Sequence, residues 1–116
     1  MATFEELAQR QDGWCDIQGC VAPHPGALNL ARQISNELSV YESHSLSSEP
    51  ETGAISLGWP GKSLFIFIEP DLTISCHYYT GQNLDETVFC PKNMKELFEF
   101  VDGKLAHSSI EKHKLN

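Results

Sequence analysis

A chain of 116 residues with an apolar fraction of 41% is sized for one folded domain, long enough to bury roughly two thirds of its unfolded surface. Eight Lys and Arg against 16 Asp and Glu leave a net charge of −8, which opposes binding to nucleic-acid phosphates and suits a basic protein partner. No run approaches the ~18 apolar residues of a membrane-spanning helix, and Met1 to Arg10, carrying Glu5 and Glu6, does not read as a signal peptide.

Thr3 followed by Glu6 is a capping-box spacing, so a short helix is expected with Phe4, Leu7 and Ala8 as its apolar positions and a stop by Asp12-Gly13. Gly13-Trp14-Cys15-Asp16-Ile17-Gln18-Gly19-Cys20 has two glycines and no period and reads as an ordered loop. Pro25 suits a first helical position, and Ala27, Leu30, Ala31, Ile34 and Leu38 then recur on one helical face. Ser43 to Thr52 is polar, serine-rich and contains Pro50, the composition of a connection.

Three strands follow. Ile55, Leu57 and Trp59 alternate with Ala54, Ser56 and Gly58, and Pro60-Gly61 signals a turn. Leu64-Phe65-Ile66-Phe67-Ile68 is apolar on both faces, with Leu64, Ile66 and Ile68 pointing one way and Phe65 and Phe67 the other. After a turn at Pro70-Asp71, Leu72, Ile74, Cys76 and Tyr78 alternate with Thr73, Ser75, His77 and Tyr79. Thr80 to Asn83 turns again, and Thr87 to Cys90 offers a short fourth strand. Asn93 with Glu96 repeats the capping spacing, and Met94, Leu97, Phe98, Val101 and Leu105 form a second helical stripe before a polar, fraying tail.

This order predicts an α+β fold: an antiparallel meander of three to four strands, flanked by an N-terminal helical pair and a C-terminal helix. Residues 1–106 form the single domain and 107–116 the tail. The two striped helices are expected on one face of the meander. The Phe65 and Phe67 face is then left to the first helix, to the Trp14 loop folding over it as a lid, or to another molecule.

Several of these elements resemble a loose group of small uncharacterised bacterial proteins that combine a Gly-Trp-Asp-Gly-like loop, a proline-started helix, a strand of the type Ile-x-Leu-x-Trp, a meander and a closing helix. The matching residues are Gly13-Trp14-Cys15-Asp16, the Pro25 to Leu38 helix and Ile55-Ser56-Leu57-Gly58-Trp59, although Cys15 interrupts the Trp-Asp pair and Gly19 comes late. The resemblance spans about residues 5 to 102. It implies a bacterial, phage or mobile-element origin and the order of helices and strands, and it carries no activity and no catalytic residues.

The candidate chemistry is sparse. Cys15, Cys20, Cys76 and Cys90, in a chain without an export signal, are expected as reduced thiols of a cytoplasmic protein. With His24 or His77 they offer the donor types of a zinc site, but only Cys15-x4-Cys20 has a tight spacing. Cys15 or Cys20 as a nucleophile needs an oriented base, and His77 should point away from its neighbour Cys76. No phosphate-binding loop is present, and neither cofactor nor metal is implied.

The aromatic residues are more telling. Trp14, Trp59, Phe65, Phe67, His77 and Tyr79, with Asp85 and Glu86 to steer a basic partner, have the composition of a protein interface. The expectation is a non-enzymatic accessory protein that inhibits or neutralises a partner by masking its surface, as antitoxins, immunity proteins and host-defence antagonists do. Two alternatives stand beside it: a small metal-binding or cysteine-dependent enzyme, and a structural homodimer that pairs the two Phe65 and Phe67 faces.

Overall fold

The computed structural model describes residues 3–15, 19–41, 43–80 and 85–115. Three helices and one antiparallel sheet confirm an α+β fold, and the strands lie in chain order, each hydrogen-bonded to the next. They are β1 (Ser45–Ser48), β2 (Ile55–Trp59), β3 (Leu64–Ile68), β4 (Ile74–Thr80) and β5 (Asp85–Phe89).

The count of five strands exceeds the expected three to four, because β1 comes from the serine-rich stretch expected to be a connection. Its alternation is hidden in composition: Leu46 and Ser48 are buried and sit opposite Leu57 and Ile55, while Ser47 is exposed. A strand of three serines and one leucine gives almost no hydrophobic period to read.

β4 starts later than its apolar alternation suggests. Leu72 lies in a turn with φ of 71°, a left-handed conformation that is costly for a bulky residue. Hydrogen bonds from Leu72 N to Glu69 O (2.8 Å), Glu69 N to Thr73 O (2.9 Å) and Thr73 N to Asp71 Oδ1 (2.9 Å) hold it there. Thr80 ends β4, and the rest of the expected turn at 81–83 lies outside the described residues.

Register sorts the side chains into two faces. Ile55, Leu57 and Trp59 stand opposite Ile68, Ile66 and Leu64, which in turn stand opposite Ile74, Cys76 and Tyr78. The six residues from β2 and β3 and Cys76 are at most 1% exposed. Burying each large aliphatic side chain is worth about 1.5–3 kcal/mol, so this face is the core.

All three helices cover that same face. α1 (Phe4–Gln9) is capped by Thr3, whose Oγ1 accepts from Glu6 N, and contributes Leu7 to the core. α2 (Pro25–Glu37) is capped by His24, whose Nδ1 accepts from Ala27 N, and buries Ala27, Leu28, Ala31 and Ile34, with Leu38 at its C-cap. α3 (Met94–Leu115) buries Leu97, Val101 and Leu105; Asn93 Oδ1 accepts from Glu96 N, and Glu96 Oε1 accepts from Lys92 N. Its backbone stays helical through the stretch expected to fray. Phe100 stacks on Phe89 of β5, and Tyr41, just after α2, donates to Asp102 of α3 at 2.8 Å, tying the helical layer to itself and to the sheet.

The segment between α1 and α2 corrects the expectation of four reduced thiols. Cys15 and Cys20 form a disulfide, while Cys76 is free and buried and Cys90 free and exposed. Asp16, Ile17 and Gln18 lie outside the described residues. The loop is anchored by Gly13 N to Cys20 O, Asp12 Oδ1 accepting from Ala22 N, Val21 N to Pro50 O and His24 N to Gly53 O. Gly53, at φ of 82°, lies so close that an added Cβ would stand 2.6 Å from Ala22 O, which only glycine avoids.

Candidate protein-docking face

The other face of the sheet carries Ser45 and Ser47 from β1, Ser56 and Gly58 from β2, Phe65 and Phe67 from β3, Ser75, His77 and Tyr79 from β4, and Glu86 and Val88 from β5, as the register requires. None of its apolar members packs against the hydrophobic core, which draws only on the opposite side chains. Phe65, Phe67 and Tyr79 are half-buried by one another and by the sheet, and Val88 is exposed. Among the described residues, no helix lies over this face.

The face has three zones. On the β1–β2 side, Ser47 and Ser56 join through their hydroxyls, and Ser45 Oγ donates to Gly58 O. In the centre, the Phe65 ring lies against Gly58, where a Cβ would stand 2.9 Å from its Cδ1. On the β4–β5 side the polar groups are linked. His77 donates from Nδ1 to Glu86 Oε2 at 2.9 Å, which leaves Nε2 to accept from Ser75 Oγ at 3.2 Å, and Tyr79 donates to the same Glu86 oxygen at 2.7 Å. The aromatic rings bind the centre to this network edge to face, Phe67 against His77 at 4.9 Å and Phe65 against Tyr79 at 6.1 Å.

The electrostatics follow from those bonds. Glu86 is held below the usual carboxylate range, first by His77 and then by Tyr79, so the network fixes a negative charge on the sheet surface. The Tyr79 phenol is pushed up by its bond to that carboxylate. On the core side, burial drives the Cys76 thiol up to about 12 and makes it a small hydrophobe rather than a nucleophile.

Ser75, His77 and Glu86 are in the hydroxyl–imidazole–carboxylate order of an acyl-transfer relay. Such a relay also needs hydrogen-bond donors for the oxyanion. β4 is paired to β3 at Ser75 and to β5 from Cys76 onward. What the arrangement offers chemically is a flat, apolar centre with fixed polar groups beside it.

Of the residues expected at an interface, Phe65, Phe67, His77, Tyr79 and Glu86 come together here. Trp59 does not: it is 1% exposed on the core face, in edge contact with His44 at 5.4 Å. The reason is parity, since Trp59 is opposite Leu64 and not opposite a phenylalanine. Trp14 is elsewhere too. Its indole donates to Val21 O at 2.8 Å and lies under Arg10 at 4.0 Å, so its established contacts belong to its own loop and not to the Phe65 and Phe67 face. Asp85 is exposed at the start of β5, on the opposite parity to Glu86.

The expected set does not contain Ser45, Ser47, Ser56, Gly58, Ser75 or Val88, all of which belong to this face. Ser75 shares the alternation of His77 and Tyr79 and was legible from that, whereas Gly58 and Val88 needed the strand register. The donors of the expected zinc or thiol site are separated in role: Cys15 and Cys20 are joined, His24 caps α2, and His77 and Cys76 face opposite ways. Among the described residues, no three His, Cys, Asp or Glu side chains are grouped to hold a metal, and no helix is long and apolar enough to cross a membrane. No protein-family model, curated protein or solved structure matches the chain.

Proposed function

We propose that this chain is a non-enzymatic protein-binding module, which holds a basic partner against the helix-free face of its sheet and neutralises it by covering its surface. The observation that carries this reading is the placement of all three helices on one side of the sheet, while the other side keeps Phe65, Phe67 and Tyr79 clustered and outside the core. Aromatic side chains contribute most at interface centres, because each buries ~150–250 Å² with little entropy to lose. The net charge of −8 and the fixed Glu86 carboxylate favour a basic partner and speed its encounter.

The test is comparative affinity capture from the cells that make the protein, with the wild-type chain and Phe67→Asp as baits. A partner held by the wild-type chain and released by a folded Phe67→Asp chain supports the reading. Equal retention by both chains overturns it.

A further inference from the structure

The two edges of the sheet are finished differently. β1 is closed off: Leu46 and Ser48 are buried, α1 packs beside the strand, and Arg10 Nη1 donates to Ser48 Oγ at 3.1 Å. His44 donates from Nδ1 to the Ser45 carbonyl at 2.9 Å, so a β1 acceptor is already taken by a side chain. Among the described residues, β5 is covered only at Phe89, under the Phe100 ring. It pairs with β4 alone, Asp85 to Val88 are all exposed, and Val88 keeps 51% of its surface open. An outer strand turns alternate N–H and C=O groups away from its sheet, which makes it a template for another strand.

We propose that β5 accepts an extended, Lys- or Arg-rich segment of the partner protein as a sixth strand. Asp85 and Glu86 are consecutive, so the edge presents one carboxylate on each side of the sheet. A strand laid beside them places consecutive basic residues next to both. When that strand is laid antiparallel, its preceding side chains reach Val88 on the helix-free face and Phe89 on the other, and main-chain bonds supply affinity along the edge. A second copy of this chain fits less well, since it brings its own charge of −8 to the same edge. This inference rests on the docking face proposed above and says how the partner enters it.

The probe is a capped seven-residue peptide, Val-Thr-Val-Thr-Val-Lys-Arg, compared with Val-Pro-Pro-Pro-Val-Lys-Arg, which has equal charge but whose consecutive prolines remove N–H groups from both edges of the segment. In an NMR titration of the full chain, the first peptide is expected to bind at least tenfold more tightly, with its shifts centred on the amides of residues 85–89. Asp85→Lys should weaken it several-fold.

Adjacent strand residues turn their N–H groups to opposite sides, so one of Thr87→Pro and Val88→Pro spares the β4 ladder. That variant should stay folded and lose the peptide. Equal binding of the two peptides, shifts away from β5, or a dimer in light scattering that Asp85→Lys abolishes would each overturn the proposal. The two readings fail separately: equal capture of a partner by the wild-type chain and Phe67→Asp removes the docking face, while equal binding of the two peptides to the wild-type chain removes the edge.

Discussion

The ring of Phe65 occupies the space that a side chain at Gly58 would need. The two are register partners on β3 and β2, and a Cβ at Gly58 would stand 2.9 Å from Phe65 Cδ1 and 2.8 Å from Ser45 Oγ. An aromatic ring laid over a glycine on the next strand recovers the contacts that the missing side chain forfeits. Gly58→Ala is therefore expected to destabilise the protein by about 1–3 kcal/mol through overpacking. Adding Phe65→Ala should return part of that cost. Denaturant unfolding of the two single variants and the double variant checks the coupling, and strict additivity would show that the ring yields freely.

Ile66 and Phe67 are neighbours with opposite roles. Ile66 is completely buried between Leu57 and Cys76, so Ile66→Ala should cost about 2–5 kcal/mol. Phe67 is only half-buried, and its main neighbour is the His77 ring. Phe67→Thr keeps a strand-favouring residue and should cost about 1 kcal/mol, within the range of a single aromatic pair. Equal losses in thermal or urea unfolding would show that both faces of β3 belong to one core.

Acid should weaken the His77–Glu86–Tyr79 network in a defined direction. The folded Glu86 carboxyl sits below its ordinary value of 4.5, so its contribution is complete above that value and disappears as pH falls through the lowered one. The stability difference between the wild-type chain and Glu86→Gln should thus be constant near neutrality and shrink below pH 4.5. Asp71 is lowered as well, by its bonds to Thr73, so both chains keep some acid sensitivity. Melting temperatures between neutral pH and pH 3 decide it, and a gap that widens in acid contradicts the assignment.

The four cysteines should separate by reactivity. Exposed Cys90 is expected to take one equivalent of iodoacetamide in the native, unreduced protein. Cys76 should resist at pH 8, because burial holds its thiol up to about 12. Cys15 and Cys20 should alkylate only after reduction, and opening so short a loop should cost about 2 kcal/mol of stability. Mass spectrometry after labelling reads all three classes, and native labelling of Cys76 would place that residue outside the core.

If the Ser75–His77–Glu86 arrangement serves binding and not acyl transfer, a fluorophosphonate probe should leave Ser75 unmodified. A serine adduct at that residue, lost in His77→Ala, would instead assign a hydrolase.

Local chemistry determined much of this protein. The caps at Thr3, His24-Pro25 and Asn93, the stripe from Ala27 to Leu38 and the alternation of β2, β3 and, from Ile74 onward, β4 are all short-range patterns that the folded chain uses. The split of Leu64, Ile66 and Ile68 from Phe65 and Phe67 is of the same kind, since strand parity is set by the backbone alone. Tertiary structure decided what no window contains. β1 has too little hydrophobic period to announce itself and exists because β2 offers it an edge. Packing of the helices on the side shared by Ile55, Leu57 and Trp59 made that side the core. The Cys15–Cys20 bridge depends on a loop closed against Pro50 and Gly53. The placement of α1 beside α2 was also a packing outcome: Leu7 found its cover in the shared core, and the Phe65 and Phe67 face was left without a helix.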